Sequence, residues 1–367
     1  MLLEADDLPL HQAPVSLAHV QGGHPNAYDR FFFNAYREDL YVAVAMGLYP
    51  NRGVIDAAVG VVLDDEQHSV FASGTLVGRE TRVGPISIEV TEPMRGATVR
   101  VDAPEHGLVG ELHYEARTVA VEEPRQIRHD GARLVMDHTR VSQLGTWSGT
   151  LEIGGEEVDL SSSPTFGTKD RSWGVRPVGE QLAAAPSSGA PQLYFVWTPL
   201  HFDDVGFHLS RFEDAAGVPW SSTAAVLDPL AAGASPVDAA GAHHLRAATP
   251  HLRYARGLRR PTFAELELTE RDGTRSVIEL EPLLTFRMRG IGYFHPTFAH
   301  GRYHGELVVH GERHATSELD TTSLTDLHVE QVVTATWGGR RGLGVLELLA
   351  IGPHAPSGLS GLADGAR

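Results

Sequence analysis

The stretch Thr165-Phe-Gly-Thr-Lys-Asp-Arg-Ser-Trp-Gly-Val-Arg-Pro177 holds one acid, three cations, a tryptophan and two glycines near the middle of the chain. Side chains alternate between two faces in an extended strand, so Lys169 and Arg171 project opposite to Asp170. The neighbouring cations therefore need not pair with the acid. The stretch predicts a strand that presents Asp170 and Ser172 together on one face.

The rest of the chain reads mainly as strands. Apolar and polar residues alternate over residues 108–121, which is typical of a half-buried strand. Strand-like runs flank Gly154-Gly155 and Asp272-Gly273, which predicts two β-hairpins. Residues 219–226 and 323–327 are candidates for short helical turns, although residues 221–227 are also a strand candidate. No segment sustains a longer helical stripe of apolar residues. The predicted fold class is all-β, with few short helices.

Length and composition favour two domains. A chain of 367 residues exceeds what one small core usually needs, so two domains or one large β architecture is expected. Residues 179–191 are small, rich in turn formers and poor in strand formers. We therefore predict an N-terminal β domain over residues 1–178 and a C-terminal β domain over residues 179–367.

Charge and cysteine content exclude several classes of function. The formal net charge of -17 argues against a nucleic-acid partner, which needs a basic surface. The chain has no cysteine, which excludes disulfides, thiolate nucleophiles and iron–sulfur clusters. No signal peptide and no membrane-spanning run is recognised, so we expect a soluble, cytoplasmic protein. The oligomeric state is left open.

Asp170 is the candidate catalytic residue. If it faces an apolar cavity, loss of solvation raises the pKa of its carboxyl group and keeps it protonated near neutral pH. A protonated carboxyl group in such a cavity can protonate a double bond or a leaving oxygen. The ring of Trp173, or another ring, would then stabilise a developing carbocation. The alternative is structural: an ion pair of Asp170 with Arg171 or Arg176 at a strand end.

Histidines cluster in the C-terminal half, where His295, His300 and His304 fall within ten residues. Such a run can indicate a metal site. However, no carboxylate stands at ligand spacing until Glu306, and the chain has no His-Glu-x-x-His motif. We therefore predict no metal, and interpret His295 and His300 as groups that line a cavity, position water or relay a proton.

An aromatic strand follows the predicted domain boundary. Phe195 and Trp197 share one face and Tyr194 takes the other, with His201 farther along. Such a strand is usually plain core, but in a barrel one face would line the lumen. Motifs for phosphate loops, dinucleotide binding and the nucleophile elbow are missing from the sequence, so no cofactor is predicted.

Several of these segments resemble one known family. They are Gly167-Thr-Lys-Asp-Arg-Ser-Trp-Gly-Val-Arg176, Gly290-Ile-Gly-Tyr-Phe-His-Pro296, Gly342-Leu-Gly-Val-Leu-Glu347 and Ile351-Gly-Pro-His-Ala-Pro-Ser-Gly358. They resemble the hydroxyneurosporene synthase-like (carotenoid 1,2-hydratase-like) superfamily, and within it the uncharacterised bacterial members. The resemblance implies two packed lipocalin-like β-barrels.

The resemblance also implies a role for Asp170, which matches an aspartate proposed to protonate a terminal alkene in the carotenoid hydratases. Trp173 and Gly174 match the Trp-Gly that follows it. Arg171 and Ser172 depart from the family pattern, as does the threonine at position 168. The resemblance therefore implies acid chemistry on an apolar substrate rather than hydration of a carotenoid in particular.

Together these observations give two hypotheses. The first is a cofactor-independent lyase or isomerase, hydratase-like, that acts on a hydrophobic isoprenoid, steroid or aromatic molecule with Asp170 as general acid. The second is a non-catalytic carrier or sensor of a hydrophobic small molecule, with a structural Asp170. The ligand is expected in a barrel mouth or between the barrels. The predicted substrate-binding residues are Trp173, Arg176, Tyr194, Trp197, His201, His295 and His300.

Overall fold

The structure is a computed structural model that describes residues 1–11, 16–178 and 191–366. Nearly all of its regular structure in these ranges is β, as predicted. The strands are β1 (Ala27–Tyr36), β2 (Tyr41–Tyr49), β3 (Val54–Leu63), β4 (Glu66–Thr75), β5 (Arg82–Val83), β6 (Ile86–Glu92), β7 (Gly96–Ala103), β8 (Leu108–Ala116), β9 (Val121–Glu122), β10 (Gln126–Asp130), β11 (Arg133–Ile153), β12 (Glu156–Asp159), β13 (Thr165–Val175), β14 (Leu193–His201), β15 (Gly206–Glu213), β16 (Pro219–Leu227), β17 (Ala242–His244), β18 (Ala247–Tyr254), β19 (Pro261–Thr269), β20 (Arg275–Arg287), β21 (Leu307–Ala315), β22 (Val329–Trp337) and β23 (Arg340–Ile351). Short 3-10 helices span Glu4–Asp7, Leu17–Gly23, Pro104–His106, Ala239–Gly241, Met288–Ile291, Thr316–Leu319 and Ala355–Ser357.

The first sheet is antiparallel and barrel-like. Its strand order is β21-β4-β3-β2-β1-β13-β11-β8-β7-β6-β5, and β9, β10 and β12 pair with the long strand β11. The sheet curls so far that β5 packs against β3 and β4 near the opposite edge. Apolar side chains such as Phe31, Val44, Val99 and Leu151 fill its interior. Burial of this surface is the main favourable contribution to folding of the barrel.

The second sheet forms the other barrel-like unit. Its strand order is β17-β16-β15-β14-β23-β22-β20-β19-β18. The short link between β17 and β18 bridges the two edges, because Leu245 N donates to Ala224 O at 2.9 Å and Arg246 N donates to Thr269 O at 2.9 Å. This closure satisfies edge groups that would otherwise be free to pair with another chain.

The two barrels pack against each other through a third apolar cluster, whose members include Phe32, Tyr41, Trp197, Phe286 and Val345. Strands β1 and β2 are therefore buried along their whole length, on the face inside the first barrel and on the face toward the second. The predicted all-β fold of two packed, lipocalin-like barrels is confirmed. The contact between the barrels creates the space in which the candidate site lies.

Local predictions had mixed outcomes. The hairpins at Gly154-Gly155 and Asp272-Gly273 are confirmed as β11–β12 and β19–β20. Residues 219–227 form strand β16, paired along its length with β15. The interpretation of residues 221–227 as a strand is therefore confirmed, and the alternative of a helical turn is wrong.

The domain boundary at 178/179 stays a prediction, because residues 179–190 lie outside the described residues. Strand β21 follows that boundary in sequence, yet it pairs with β4 of the first sheet from Leu307↔Gly74 to Ala315↔Glu66. The C-terminal part of the chain thus supplies one edge of the first sheet. None of the helices in the described ranges has the length and apolar character needed to cross a membrane.

Candidate functional site

A cavity of about 1090 Å³ lies between the two barrels. Strands β1, β11 and β13 of the first sheet and β14, β22 and β23 of the second contribute to its wall, together with residues around 292–302. Much of the wall is apolar, including Phe32, Phe195, Met288 and Leu349. A cavity of this size and lining is typical of sites for small organic ligands.

Asp170 lines this cavity and is 4% exposed. The pleat of β13 places Ser172 on the same wall, while Lys169 and Arg171 point the other way and bind Asp7 and Asp29 at 2.6 and 2.7 Å. The predicted separation of the acid from its neighbouring cations is therefore confirmed. It follows directly from the alternation of side chains along a strand.

Arg140, from the adjacent strand β11, is the cation that contacts Asp170. The structural alternative named Arg171 or Arg176 as the partner, so the pairing differs from both. The Arg140 guanidinium also lies 5.2 Å from the ring centre of Phe195 and 5.1 Å from that of Trp197. These two rings stack against a charge that the cavity would otherwise leave poorly solvated.

Three more carboxyl groups surround the same guanidinium or its neighbours. Glu123 Oε1 lies 3.7 Å from Arg140 Nε, and Glu347 Oε2 lies 4.0 Å from Arg140 Nη2. Glu330 stands directly opposite Glu347 in the β22–β23 pair. Like charges in directly opposed positions are destabilising, so these buried acids are not all ionised together.

The surroundings shift the pKa values of three of these carboxyl groups in different directions. Burial favours the neutral form of Glu123, but Arg140 and His208 outweigh it and hold the pKa at about 2. Burial raises the pKa of Asp170, and Arg140 opposes that rise. Burial, reinforced by the charge of Glu347, raises the pKa of Glu330 well above its usual range. The surroundings therefore favour the protonated form of Glu330 and the ionised form of Glu123.

Glu330 was missed by the sequence analysis. Its Oε2 contacts the Tyr41 hydroxyl and accepts a hydrogen bond from Asn34 Nδ2 at 3.2 Å. Its Oε1 is buried and has no hydrogen-bond partner among the described residues. The available signal was one carboxyl residue inside the strand-forming run Val329–Trp337, where a charged side chain is rarely buried without a reason.

Three predicted ligand-binding residues line the cavity: Arg176, His295 and His300. The Arg176 guanidinium lies 4.7 Å from the ring centre of Tyr28. His295 Nε2 lies 2.9 Å from Glu312 Oε1. The structure therefore brings these side chains together with Asp170, although they come from two distant segments of the chain.

Trp173 and Tyr194 lie elsewhere because of strand parity. Trp173 shares the face of Lys169 rather than that of Asp170, and its ring packs edge-on against His11 at 4.5 Å. Tyr194 points into the second barrel and stacks on His354 at 3.6 Å. Neither is part of the cavity wall. Stabilisation of a carbocation at Asp170 by the Trp173 ring is therefore not compatible with this geometry.

Trp197 and His201 project from the face of β14 opposite to Tyr194, but they do not form part of the cavity wall. Trp197 is fully buried behind it, where its ring contacts Arg140. His201 lies at the far end of the strand, with Nε2 3.2 Å from the carbonyl oxygen of Gly167. It lines a separate depression of about 640 Å³.

Buried histidines should make the fold sensitive to acid. Burial lowers the pKa of His138 to about 3, of His201 to about 3 and of His300 to about 4. Below about pH 6.5 the unfolded chain therefore binds protons that the folded chain rejects. Each such histidine should lower the free energy of unfolding by about 1.4 kcal/mol per pH unit, down to its folded pKa.

The measurement is urea unfolding between about pH 6.5 and about pH 4.5, comparing the wild type with His138→Gln. The variant should lose stability less steeply on acidification, by the contribution of one histidine. Replacement of the exposed His243 serves as the control and should leave the slope unchanged. Parallel slopes for wild type and His138→Gln would contradict the prediction.

Comparison with solved structures finds matches that span most of this chain. A candidate AttH protein from Nitrosomonas europaea superposes with a TM-score of 0.56, at 14% identity over 88% of this chain and 92% of that one. CghA gives a TM-score of 0.48, at 14% identity over 89% of this chain and 88% of that one. The first likeness supports the fold of two packed barrels.

No curated protein matches the sequence at a significant level. The resemblance to the hydroxyneurosporene synthase-like group stays a prediction, because the matching family model carries no such description. That model covers residues 2–360 and is described as a family of unknown function, DUF8625, and the chain belongs to this family.

Proposed function

We propose that the protein is a cofactor-independent lyase or isomerase that transfers a proton to a hydrophobic isoprenoid, steroid or aromatic molecule in the cavity between the barrels. One observation carries this proposal: three buried carboxyl groups lie within 4.0 Å of a single guanidinium, that of Arg140, and a fourth, Glu330, stands opposite one of them. Since Arg140 cannot balance four negative charges, the group retains protons near neutral pH. A retained proton beside an apolar ligand is a general acid.

In this proposal Asp170 donates its proton to a double bond or a leaving oxygen of the ligand. Arg140 then stabilises the carboxylate that the transfer leaves behind, because the two groups are already in contact. The rings of Phe32 and Phe195, which line the same cavity, take the part that the sequence analysis gave to Trp173 and face the developing cation.

The second proton transfer falls to Glu347 and His328. His328 Nε2 lies 2.7 Å from Glu347 Oε1, and both residues line the cavity. In an isomerase this pair would accept the proton that the cation loses, so that a new double bond forms and the total number of protons is conserved. In a hydratase the pair would accept a proton from the water that attacks the cation.

The motif resemblance supports the same assignment, since Asp170 matches the aspartate proposed as the proton donor in the carotenoid hydratases. The departures at Arg171 and Ser172 now have a local explanation. Arg171 binds Asp29 on the opposite face of β13, away from the cavity. Only Ser172 alters the cavity wall itself. The proposed substrate is therefore an apolar molecule of a different shape.

The proposal is tested with the wild-type protein in deuterium oxide. Small molecules that co-purify are extracted and identified by mass spectrometry, and they and related isoprenoids, steroids and aromatic compounds are then incubated with the protein. Protonation of a double bond should place one deuteron on carbon in the product, and protonation of a leaving oxygen should release the leaving group as a second product. Recovery of every compound unchanged and free of carbon-bound deuterium, including the co-purified one, would refute the enzyme assignment.

A carrier or sensor is the second candidate, and the contact between Asp170 and Arg140 favours it. A carboxylate that is paired in this way can simply neutralise a buried cation. In that case Asp170→Asn should lower the melting temperature strongly without changing the affinity for the co-purified molecule. Unaltered stability together with lost turnover would instead support the enzyme.

A further inference from the structure

Arg30 is a buried cation without a buried anion. Its side chain extends from β1 into the cavity and is 2% exposed. Nη1 donates to the Tyr293 hydroxyl at 2.6 Å. Nε and Nη2 are buried, and neither has a hydrogen-bond partner among the described residues. Within that part of the chain no carboxylate oxygen lies within 4.0 Å of this guanidinium.

Arg171 shows how the same barrel treats a comparable charge. It is fully buried, and its Nη1 donates to Asp29 Oδ1 at 2.7 Å. An uncompensated buried charge costs far more than a paired one, so such pairing is the rule for buried arginines. Arg30 departs from that rule, and its side chain lines the cavity in which a ligand would bind. The missing partner is therefore expected to arrive with the ligand.

Arg176 adds a second cation to the same region. Arg176 lines the cavity, and the hydroxyl groups of Tyr293 and Tyr28 are close enough to interact with its guanidinium. No ion pair of Arg176 is formed within the described ranges. The neighbouring His300 responds to this charge: burial lowers its pKa to about 4, and Arg30 and Arg176 both act in the same direction.

On the wall formed by the first sheet, Arg30 and Arg140 flank Ser172 from the two neighbouring strands, so the cations lie beside the acids. His328 lies close to both groups, because its ring packs 4.5 Å from that of Tyr293 and its Nε2 lies 2.7 Å from Glu347 Oε1. The carboxyl groups surround Arg140. The cavity therefore has a cationic region next to an acidic region, with apolar wall such as Phe32 and Met288 as its other lining.

We infer that Arg30 and Arg176 bind the carboxylate of an amphipathic acid whose apolar body fills the rest of the cavity. The guanidinium fork matches a planar carboxylate, and the two free N–H groups of Arg30 supply donors for it. The inference deepens the proposed function and rests on it for the reacting end of the molecule. Anchoring the carboxylate at Arg30 leaves the apolar body to approach Asp170.

The test uses a matched pair of fluorescent probes, cis-parinaric acid and its methyl ester, which differ only in the charge of the head group. The wild type should bind the acid about 10–100-fold more tightly than the ester, as expected for charge-assisted hydrogen bonds in a buried site. Arg30→Gln should remove this preference by weakening acid binding, while binding of the ester stays the same. Equal affinities of the wild type for acid and ester would overturn the inference.

Two further variants keep the test decisive. Arg176→Gln should reduce the preference in the same way, so the result does not depend on the folding of one variant. Arg133→Gln is the matched control, because Arg133 also lines the cavity but is paired with Asp130 at 2.8 Å. Its replacement should leave the preference intact. Persistence of the preference in both Arg30→Gln and Arg176→Gln would place the carboxylate elsewhere and refute the assignment.

The outcome is independent of the proton-transfer experiment. Asp170→Asn should keep the preference for the acid, since its side chain lies by Arg140 rather than by Arg30. If the preference is absent while deuterium is still transferred, only the substrate class is wrong. If the preference is present but no deuterium is transferred, the anion site stands and the enzyme assignment fails.

Discussion

Replacing Asp170 with asparagine is expected to lower the rate of proton transfer to the substrate by about 10²–10⁴-fold, the usual contribution of a positioned general acid. The amide has nearly the same size and can still accept a hydrogen bond from Arg140, but it has no acidic proton to give. Binding of the apolar body should change little, because Asp170 is one polar group in a mostly apolar wall. The measurement is the rate of deuterium incorporation in single-turnover experiments.

Asp137→Asn is the matched control for this replacement. Asp137 is on β11, the strand of Arg140, but its carboxylate binds the exposed Arg125 at 2.6 Å and is not part of the cavity wall. The same chemical change there should leave the rate unaltered. A full rate in Asp170→Asn would remove Asp170 from the mechanism.

Glu330→Gln separates the role of Glu330 from that of Asp170, because burial raises the pKa of both carboxyl groups. The Oε2 atom of Glu330 is already occupied by Tyr41 and Asn34. We therefore expect Glu330→Gln to retain most of the rate that Asp170→Asn loses. The reverse pattern, with the loss confined to Glu330→Gln, would assign the proton donor to Glu330 instead.

The sequence was sufficient to predict the local features of this site. Period-two alternation in the stretch around Asp170 defined both the strand and its two faces, because side-chain direction in a strand depends only on position. The same rule, applied strictly, would have placed Trp173 away from Asp170. Trp173 was assigned to the pocket because of the family resemblance and because it is close to Asp170 in sequence. The pleat of β13 instead turns its side chain to the opposite face.

The partners of Asp170 were beyond what one sequence can reveal. Arg140 comes from β11, and Glu330 and Glu347 come from β22 and β23 in the other barrel. They meet Asp170 only because two sheets pack face to face. The β1–β13 and β14–β23 pairings at this contact join residues more than a hundred positions apart. Parity restricted Tyr194 to one of two faces, but only the packing of the barrels decided which face meets the cavity.

The N-terminal residues were given no role by the sequence, yet they complete the opposite face of β13. Asp7 binds Lys169 Nζ at 2.6 Å and also accepts a hydrogen bond from Met94 N at 2.6 Å. Asp29 binds Arg171 and accepts a hydrogen bond from Leu10 N at 2.8 Å. The strand that carries the candidate acid is therefore held by two buried ion pairs on its other face.

Asp29→Asn is expected to lower the free energy of unfolding by about 3–5 kcal/mol, because it removes the carboxylate that binds the fully buried Arg171. The other carboxylate near this guanidinium, Asp7, lies 3.9 Å from Nε and already binds Lys169. Chemical denaturation, followed by intrinsic fluorescence, gives the difference. The control is Glu89→Gln, which breaks an exposed ion pair with Arg100 and should change the free energy of unfolding far less. Equal losses for the two variants would contradict the prediction.

The double variant Asp29→Asn/Arg171→Met shows whether the loss comes from the unpaired charge. If it does, removing the cation as well should recover part of the stability, since a methionine of similar length can pack on Phe31, which Arg171 contacts at 3.7 Å from its ring centre. A double variant less stable than Asp29→Asn alone would instead mean that Arg171 stabilises the barrel by packing and by its bond to the Arg30 carbonyl oxygen. In that case the packing and hydrogen bonding of Arg171, rather than its charge, would hold β13 and therefore Asp170 in position.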